Sequence, residues 1–200
     1  MAAISDYASL LVDAGEYSGR DDIAHLFPRF VGLAEAKFNR VLRVGEMEKS
    51  GTIVLTDGNG NLPADFLEAR MVVSPDGANL VAWSLSELNR RYSNFGGIPA
   101  GYAVVGSVLR VRPTASGNVT MDYYATIPPL TVANPTNWLL TKAPDAYLYG
   151  VAEEIAIWER DPAKVSAAQG LKVQALRGLN LQDERSRWGN SQVVIGGLTP

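Results

Sequence analysis

Two helix starts marked by proline stand close together in Asn134–Lys164, NPTNWLLTKAPDAYLYGVAEEIAIWERDPAK. Pro144 suits the first turn of one helix, and Pro162, with Asp161 as its cap, opens the next. Almost no loop separates them, so the two helices turn sharply or fold antiparallel. The first carries a stripe of Leu148, Val151, Ala152, Ile155 and Trp158 or Glu159. Gly150 costs it about 1 kcal/mol relative to alanine, which points to a closely packed neighbour. The second runs to about Arg187 on Val165, Ala168, Leu171, Ala175, Leu176 and Leu179. Just upstream, Thr136–Leu140 reads as a brief turn, with Trp138 expected to anchor it in the core.

The N-terminal stretch is helical too. Ile4–Ala14 forms a short helix capped by Ser5 or Asp6 and ended by Gly15 and Gly19. Asp21 and Asp22 cap a short turn. From Pro28 to about Arg43, Phe27, Phe30 or Val31, Ala34, Phe38 and Val41 recur at helical spacing, with Glu35, Lys37 and Arg40 on the opposite face. From Met47 the texture changes to short β-prone runs at Ser50–Leu55, Ala69–Ser74, Leu80–Trp83, Tyr102–Val105, Val108–Arg112 and Val119–Ala125. Turn signals separate them: Asp57-Gly58-Asn59-Gly60-Asn61, Pro75-Asp76-Gly77 and the two-residue connection Gly106-Ser107. Ser84–Arg91 is a short helix with Ser84 and Glu87 placed as a capping box. The expectation is therefore an α+β protein. A helical bundle, residues 1–46 plus 137–188, is interrupted by a small antiparallel β-rich insertion at 47–136, and 189–200 forms an uncharged, extended C-terminal arm.

Composition narrows the function classes. A net charge of −3 argues against a protein that coats nucleic acid, and neither sign dominates in any segment. With no cysteine, disulfides, thiolate catalysis and cysteine-type zinc sites are excluded. The start, MAAISDYASLL, does not read as a signal peptide, and no run of about 18 apolar residues is available to span a membrane. The chain reads as soluble.

The search for chemistry is mostly negative. His25, the one histidine, sits in a short helical turn with no nucleophile elbow nearby. Asp57, Asn59, Asn61, Asp65 and Glu68 share the spacing of a calcium loop, but Leu62 stands where that loop needs glycine and a strand precedes it where a helix is needed. A hairpin turn is the plain reading, weak calcium binding the alternative. No phosphate-loop or other cofactor-binding motif is present. Glu153 and Glu154 are adjacent on a helix, so they point about 100° apart and form no facing acid pair; a solvated face accounts for them. Arg90-Arg91 and Arg110/Arg112 are the most compact basic clusters. Arg110 and Arg112 would share one strand face and meet DNA or an acidic partner, or simply face solvent.

Three blocks carry a family resemblance: IAHLFPRFVGLAEAKFNRVLRVGEME (23–48), LPADFLEARMV (62–72) and ANPTNWLLTKAPDAYLYGVAEEIAIW (133–158). Their order, and the closing Arg185-Ser186-Arg187-Trp188, resemble the head-to-tail adaptor (connector, or head completion) proteins of podophage-like tailed bacteriophages. The resemblance covers most of residues 20–190. It implies a non-enzymatic virion protein at the neck, made in the host bacterial cytoplasm. It further implies a homo-oligomeric, usually dodecameric, ring bound beneath the portal protein and contacting tail or nozzle proteins. Genomic DNA would pass through the lumen without sequence-specific binding, and no membrane would be involved. The C-terminal segment of such adaptors commonly reaches the portal, which assigns portal or neighbour contact to Gln192, Val193, Val194, Ile195 and Leu198. An uncharged β-prone arm can add to a neighbour's sheet or fill a groove. Two alternatives remain. One is another head or tail completion protein of the same fold; the other is a cell-wall-degrading virion component using Glu46, Glu48 or Glu153.

Overall fold

The computed structural model describes residues 4–92 and 94–188, and the fold is α+β, with six helices and two sheets among them. The chain folds as two compact units, one made of residues up to Gly45 and from Ile127 on, the other of Glu46–Thr126.

The helical unit starts with α1 (Tyr7–Ser18). Its cap is Asp6, whose carboxylate accepts the Ser9 backbone N–H at 2.8 Å while the Ser9 hydroxyl accepts the Asp6 N–H at 3.0 Å. This is a capping box closed by serine in place of the usual glutamate. The helix does not stop at Gly15. It runs through to Gly19, which takes the left-handed conformation at φ +67°. Gly15 instead serves packing, since a Cβ there would lie 2.7 Å from Asp21 Oδ1 and 3.4 Å from the Phe27 ring.

A 3₁₀ turn at Asp21–Leu26 leads into α2 (Phe27–Val41), with Pro28 in its first turn. Phe27, Phe30, Val31, Ala34 and Phe38 are buried as the period requires, but Val41 is 63% exposed and Glu35 is buried. After the β-rich unit, the chain returns to α4 (Trp138–Lys142), α5 (Pro144–Glu159) and α6 (Pro162–Trp188). Leu139 and Leu140 are the buried anchors of α4; Trp138 is half-buried.

α5 is the hub, because α1, α2, α4 and α6 all pack on it. Neighbours on several sides leave it no fully solvated face, which is why Ala146, Tyr147, Gly150, Val151, Ile155 and Ala156 are all buried. The expected stripe is shifted: Leu148 is half-buried and Trp158 is 48% exposed. The close neighbour at Gly150 is α2, whose Phe38 ring would lie 2.6 Å from an added Cβ. Arg160 ends α5 in the left-handed region at φ 60°, and Asp161 caps α6 through bonds from the Ala163 and Lys164 N–H groups.

The β-rich unit holds β1 (Glu48–Leu55), β2 (Asn59–Asn61), β3 (Phe66–Val73), β4 (Val81–Ala82), α3 (Leu85–Arg91), β5 (Gly101–Val105), β6 (Val108–Arg112) and β7 (Gly117–Ala125). One sheet is antiparallel in the order β1-β7-β3. The other has the order β2-β6-β5-β4, with β4 parallel to β5. That parallel edge departs from the all-antiparallel expectation, and it arises because α3 carries the chain across between β4 and β5. Alternate residues of β7, Val119, Met121, Tyr123 and Ala125, join Ile53, Leu55, Val72, Leu109 and Val111 in a single core.

The glycine-rich run is shorter as a turn than its composition suggests. Asp57 and Gly58 alone reverse the chain, at φ 49° and 72°, and Thr56 and Asn59 exchange backbone bonds of 2.8 and 3.0 Å. Two consecutive positive φ values give the turn type whose twist matches a hairpin. Asn59–Asn61 is thereby free to pair with β6.

Candidate interaction surfaces and the buried charge network

Tyr147 on α5 and Glu35 on α2 meet in the interior of the helical unit. Glu35 Oε1 accepts both the Tyr147 hydroxyl (2.9 Å) and the Leu130 backbone N–H (2.8 Å). Asn137 donates to Tyr147 Oη (2.6 Å) and to the Pro128 carbonyl (2.7 Å), while its own carbonyl oxygen caps α4 through Leu140 N–H. Asn39 on α2 accepts from Ile127 N–H at 2.9 Å. Together these bonds fasten the returning segment 127–137 to α2. Burial raises the Glu35 carboxyl above its ordinary value, against the opposing bonds from Leu130 and Tyr147.

A group raised in this way contributes stability at low pH and loses it as the pH climbs through the folded value. Glu35→Gln keeps the acceptor oxygen and removes the charge. We expect the variant to be as stable as the parent at pH 5 and more stable at pH 7, read from urea midpoints. A loss of stability at pH 7 would contradict this assignment.

Glu153 and Glu154, read from sequence as a solvated face, are only 5% and 6% exposed. The correction follows from the position of α5 as hub: packed neighbours remove most of the solvent from that part of the helix, so its charges need partners. Lys37 from α2 bonds Glu153 at 3.0 Å and Glu154 at 2.5 Å, and Lys172 from α6 donates to the other Glu153 oxygen. Burial alone would raise the Glu153 carboxyl, but Lys172 and Lys37 outweigh it and hold it below the ordinary glutamate value. Two carboxylates and two ammonium groups thus tie α2, α5 and α6 together. Both Glu153 oxygens are thereby engaged, one by Lys37 and the other by Lys172.

Beside this network, an open groove of about 330 Å³ runs between α2 and α6, lined by Phe38, Val41, Leu42, Val173 and Leu176 together with Lys37 and Lys172. A shallower depression lined by Ile157, Val165 and Gln169 continues it along α6. Leu171 and Leu181 are also exposed on α6.

In the β-rich unit the predicted basic pairs are largely occupied. Arg90 and Arg91 both bond Glu87, at 2.7 and 2.5 Å. Arg112 is 9% exposed, its guanidinium donating to Asn94 Oδ1 and the Val111 carbonyl at 2.8 Å each. Arg110 is half-buried. The residues with calcium-loop spacing do not converge. Asn59 and Asn61 lie in β2, and Asp65 bonds Lys49 (2.6 Å) and the Tyr123 hydroxyl (3.0 Å). Among the described residues no three His, Cys, Asp or Glu side chains come together in a metal-binding group. His25 is exposed in its 3₁₀ turn. No helix among them is long and apolar enough to cross a membrane. Gln192, Val193, Val194, Ile195 and Leu198 lie outside the described residues.

These features are packing, pairing and exposed apolar surface, as in a protein that works by contact. No curated protein matches the sequence. A model of the SU10 adaptor protein family matches residues 5–195, which takes in both units. The chain belongs to the SU10 adaptor protein family, a family of bacteriophage head-to-tail adaptors.

Proposed function

We propose that the protein assembles as a ring, dodecameric in the mature particle, bound beneath the portal at the virion neck, with its lumen continuing the DNA exit channel toward the tail. The observation that carries this reading is the family match over nearly the whole chain. The open groove of the helical unit, with Val41 and Val173 exposed along it, offers apolar surface for such a contact. Each subunit then contributes a modest interface, and ring closure multiplies it through avidity.

The action is mechanical. A net charge of −3 suits a channel in which DNA slides, where a strongly basic lining would bind phosphates and release counterions. Any basic contact with DNA or an acidic partner falls to Arg110, since Arg112 is engaged by Asn94 and Val111. We assign Gln192, Val193, Val194, Ile195 and Leu198 to contact with the portal or a neighbouring copy. An uncharged, β-prone run of this kind suits addition to a sheet edge or groove.

Cryo-electron microscopy of the intact particle tests the placement. The expected result is a ring of this fold directly under the portal, enclosing the DNA. Density for the protein only at the distal tail would overturn it, in favour of a differently placed completion protein.

A further inference from the structure

We propose that within the ring α1 of one copy lies in the α2–α6 groove of the next; this rests on the ring reading above. The outward ridge of α1 carries Ala8 and Val12, both exposed, Val12 at 60%. The groove opens between α2 and α6, with Val41 at 63% and Val173 at 37% exposure on its two walls. In a single chain the ridge faces solvent and the groove stands open, so joining them takes two copies. Two different patches on one unit form a heterologous contact, the kind that generates rings when the rotation closes.

Length and charge favour this occupant. The α6 wall of the groove and its continuation run from Val165 to Asn180, about 23 Å of helix at 1.5 Å per residue. α1, at 12 residues, is about 18 Å long and fits within it. The face of α1 that carries Tyr7, Leu10 and Ala14 is buried in its own unit, so the Ala8–Val12 ridge is the part that enters the groove. α1 has no basic residue, and its surface carries Asp13 and Glu16. Among the described residues lining the groove, Lys37 and Lys172 are paired with Glu153 and Glu154, and Arg177 adds a further cation at its edge. Acidic helix and basic groove edge then fix the register.

The absence of cysteine makes the test direct. Val12→Cys and Val173→Cys are placed in one chain, the protein is assembled on its cognate portal, and a short bismaleimide is added. The expected result is a ladder of covalent multimers on a denaturing gel, absent from either single variant. Unchanged ring mass with no ladder would overturn the interface and leave the ring reading standing; no ring and no ladder would overturn both. A ladder from Val12→Cys alone would show α1 facing α1 and also overturn the proposal. As a second reading, Glu16→Arg and Arg177→Glu should each weaken assembly about fivefold, and the double swap should restore it. Additive losses in the double variant would count against the pairing.

Discussion

Glu153→Leu is expected to destabilise the helical unit by about 3–5 kcal/mol, because removing one partner strands a buried charge. The stranded group is Lys172, whose side chain is 11% exposed and whose ammonium bonds Glu153. Lys37 is not stranded, since it keeps Glu154 at 2.5 Å. The loss therefore belongs mainly to one ammonium. Adding Lys172→Met, which preserves the aliphatic stem, should recover most of the loss, since apolar replacement of a whole buried pair is often close to neutral. A urea-denaturation cycle on the parent, both singles and the double measures the coupling. A Glu153→Leu variant that loses less than about 1 kcal/mol would mean that water reaches the cluster.

The network also has a pH signature with a definite sign. Glu153, held below its ordinary value, contributes stability that is present above the unfolded value and lost as the pH falls through the folded one. Glu35, raised by burial, acts in the opposite direction. Acid lability of the helical unit is therefore expected to diminish in the Glu153→Leu/Lys172→Met double variant and to persist in Glu35→Gln.

The second large effect lies in the β-rich unit. Gly58→Ala forces a side chain into the left-handed region at φ 72° and sets its Cβ 2.6 Å from the Val111 carbonyl oxygen. Left-handed backbone costs about 1–2 kcal/mol for a residue other than glycine, and overpacking about 1–3 more. The obstacle is backbone, and it cannot move aside without loss. Val111 donates its own N–H to the Gly58 carbonyl at 2.8 Å, and Gly58 N–H reaches Ala115 O at 2.8 Å. We expect a loss of about 2–5 kcal/mol from these two terms. By contrast, Gly77→Ala tests conformation alone, because φ is 87° but nothing lies within 4 Å of an added Cβ; its cost should be about 1–2 kcal/mol. Equal effects at the two glycines would refute the packing contribution at Gly58.

Much of the architecture could be read from local chemistry. Pro28, Pro144 and the Asp161–Pro162 pair mark helix starts through their own backbone restrictions. Ser84 caps α3 through the Glu87 N–H at 3.3 Å, and Gly106–Ser107 closes the β5–β6 connection. Partners remote in sequence were not legible. Glu153 and Glu154 look solvated along their own helix because the groups that permit their burial, Lys37 and Lys172, belong to other elements. Glu35 follows the same logic through Tyr147 and Leu130. Val41 fits the apolar period of α2, yet the groove leaves it exposed. The apolar period alone does not separate such an exposed position from the buried ones beside it; the arrangement of the neighbouring helices does. The basic pair Arg110/Arg112 shows the limit in the other direction: alternation puts both on one strand face, but the Asn94 segment folds over Arg112 and uses it as a strut.

Attachment of a ring to the portal can be weighed directly, by native mass spectrometry of the purified protein mixed with its cognate portal ring. A parallel sample lacks residues 189–200. A single mass step corresponding to a full ring of subunits on the portal is expected, and it should be lost when the C-terminal segment is removed. No added mass with either form would contradict the portal-bound ring.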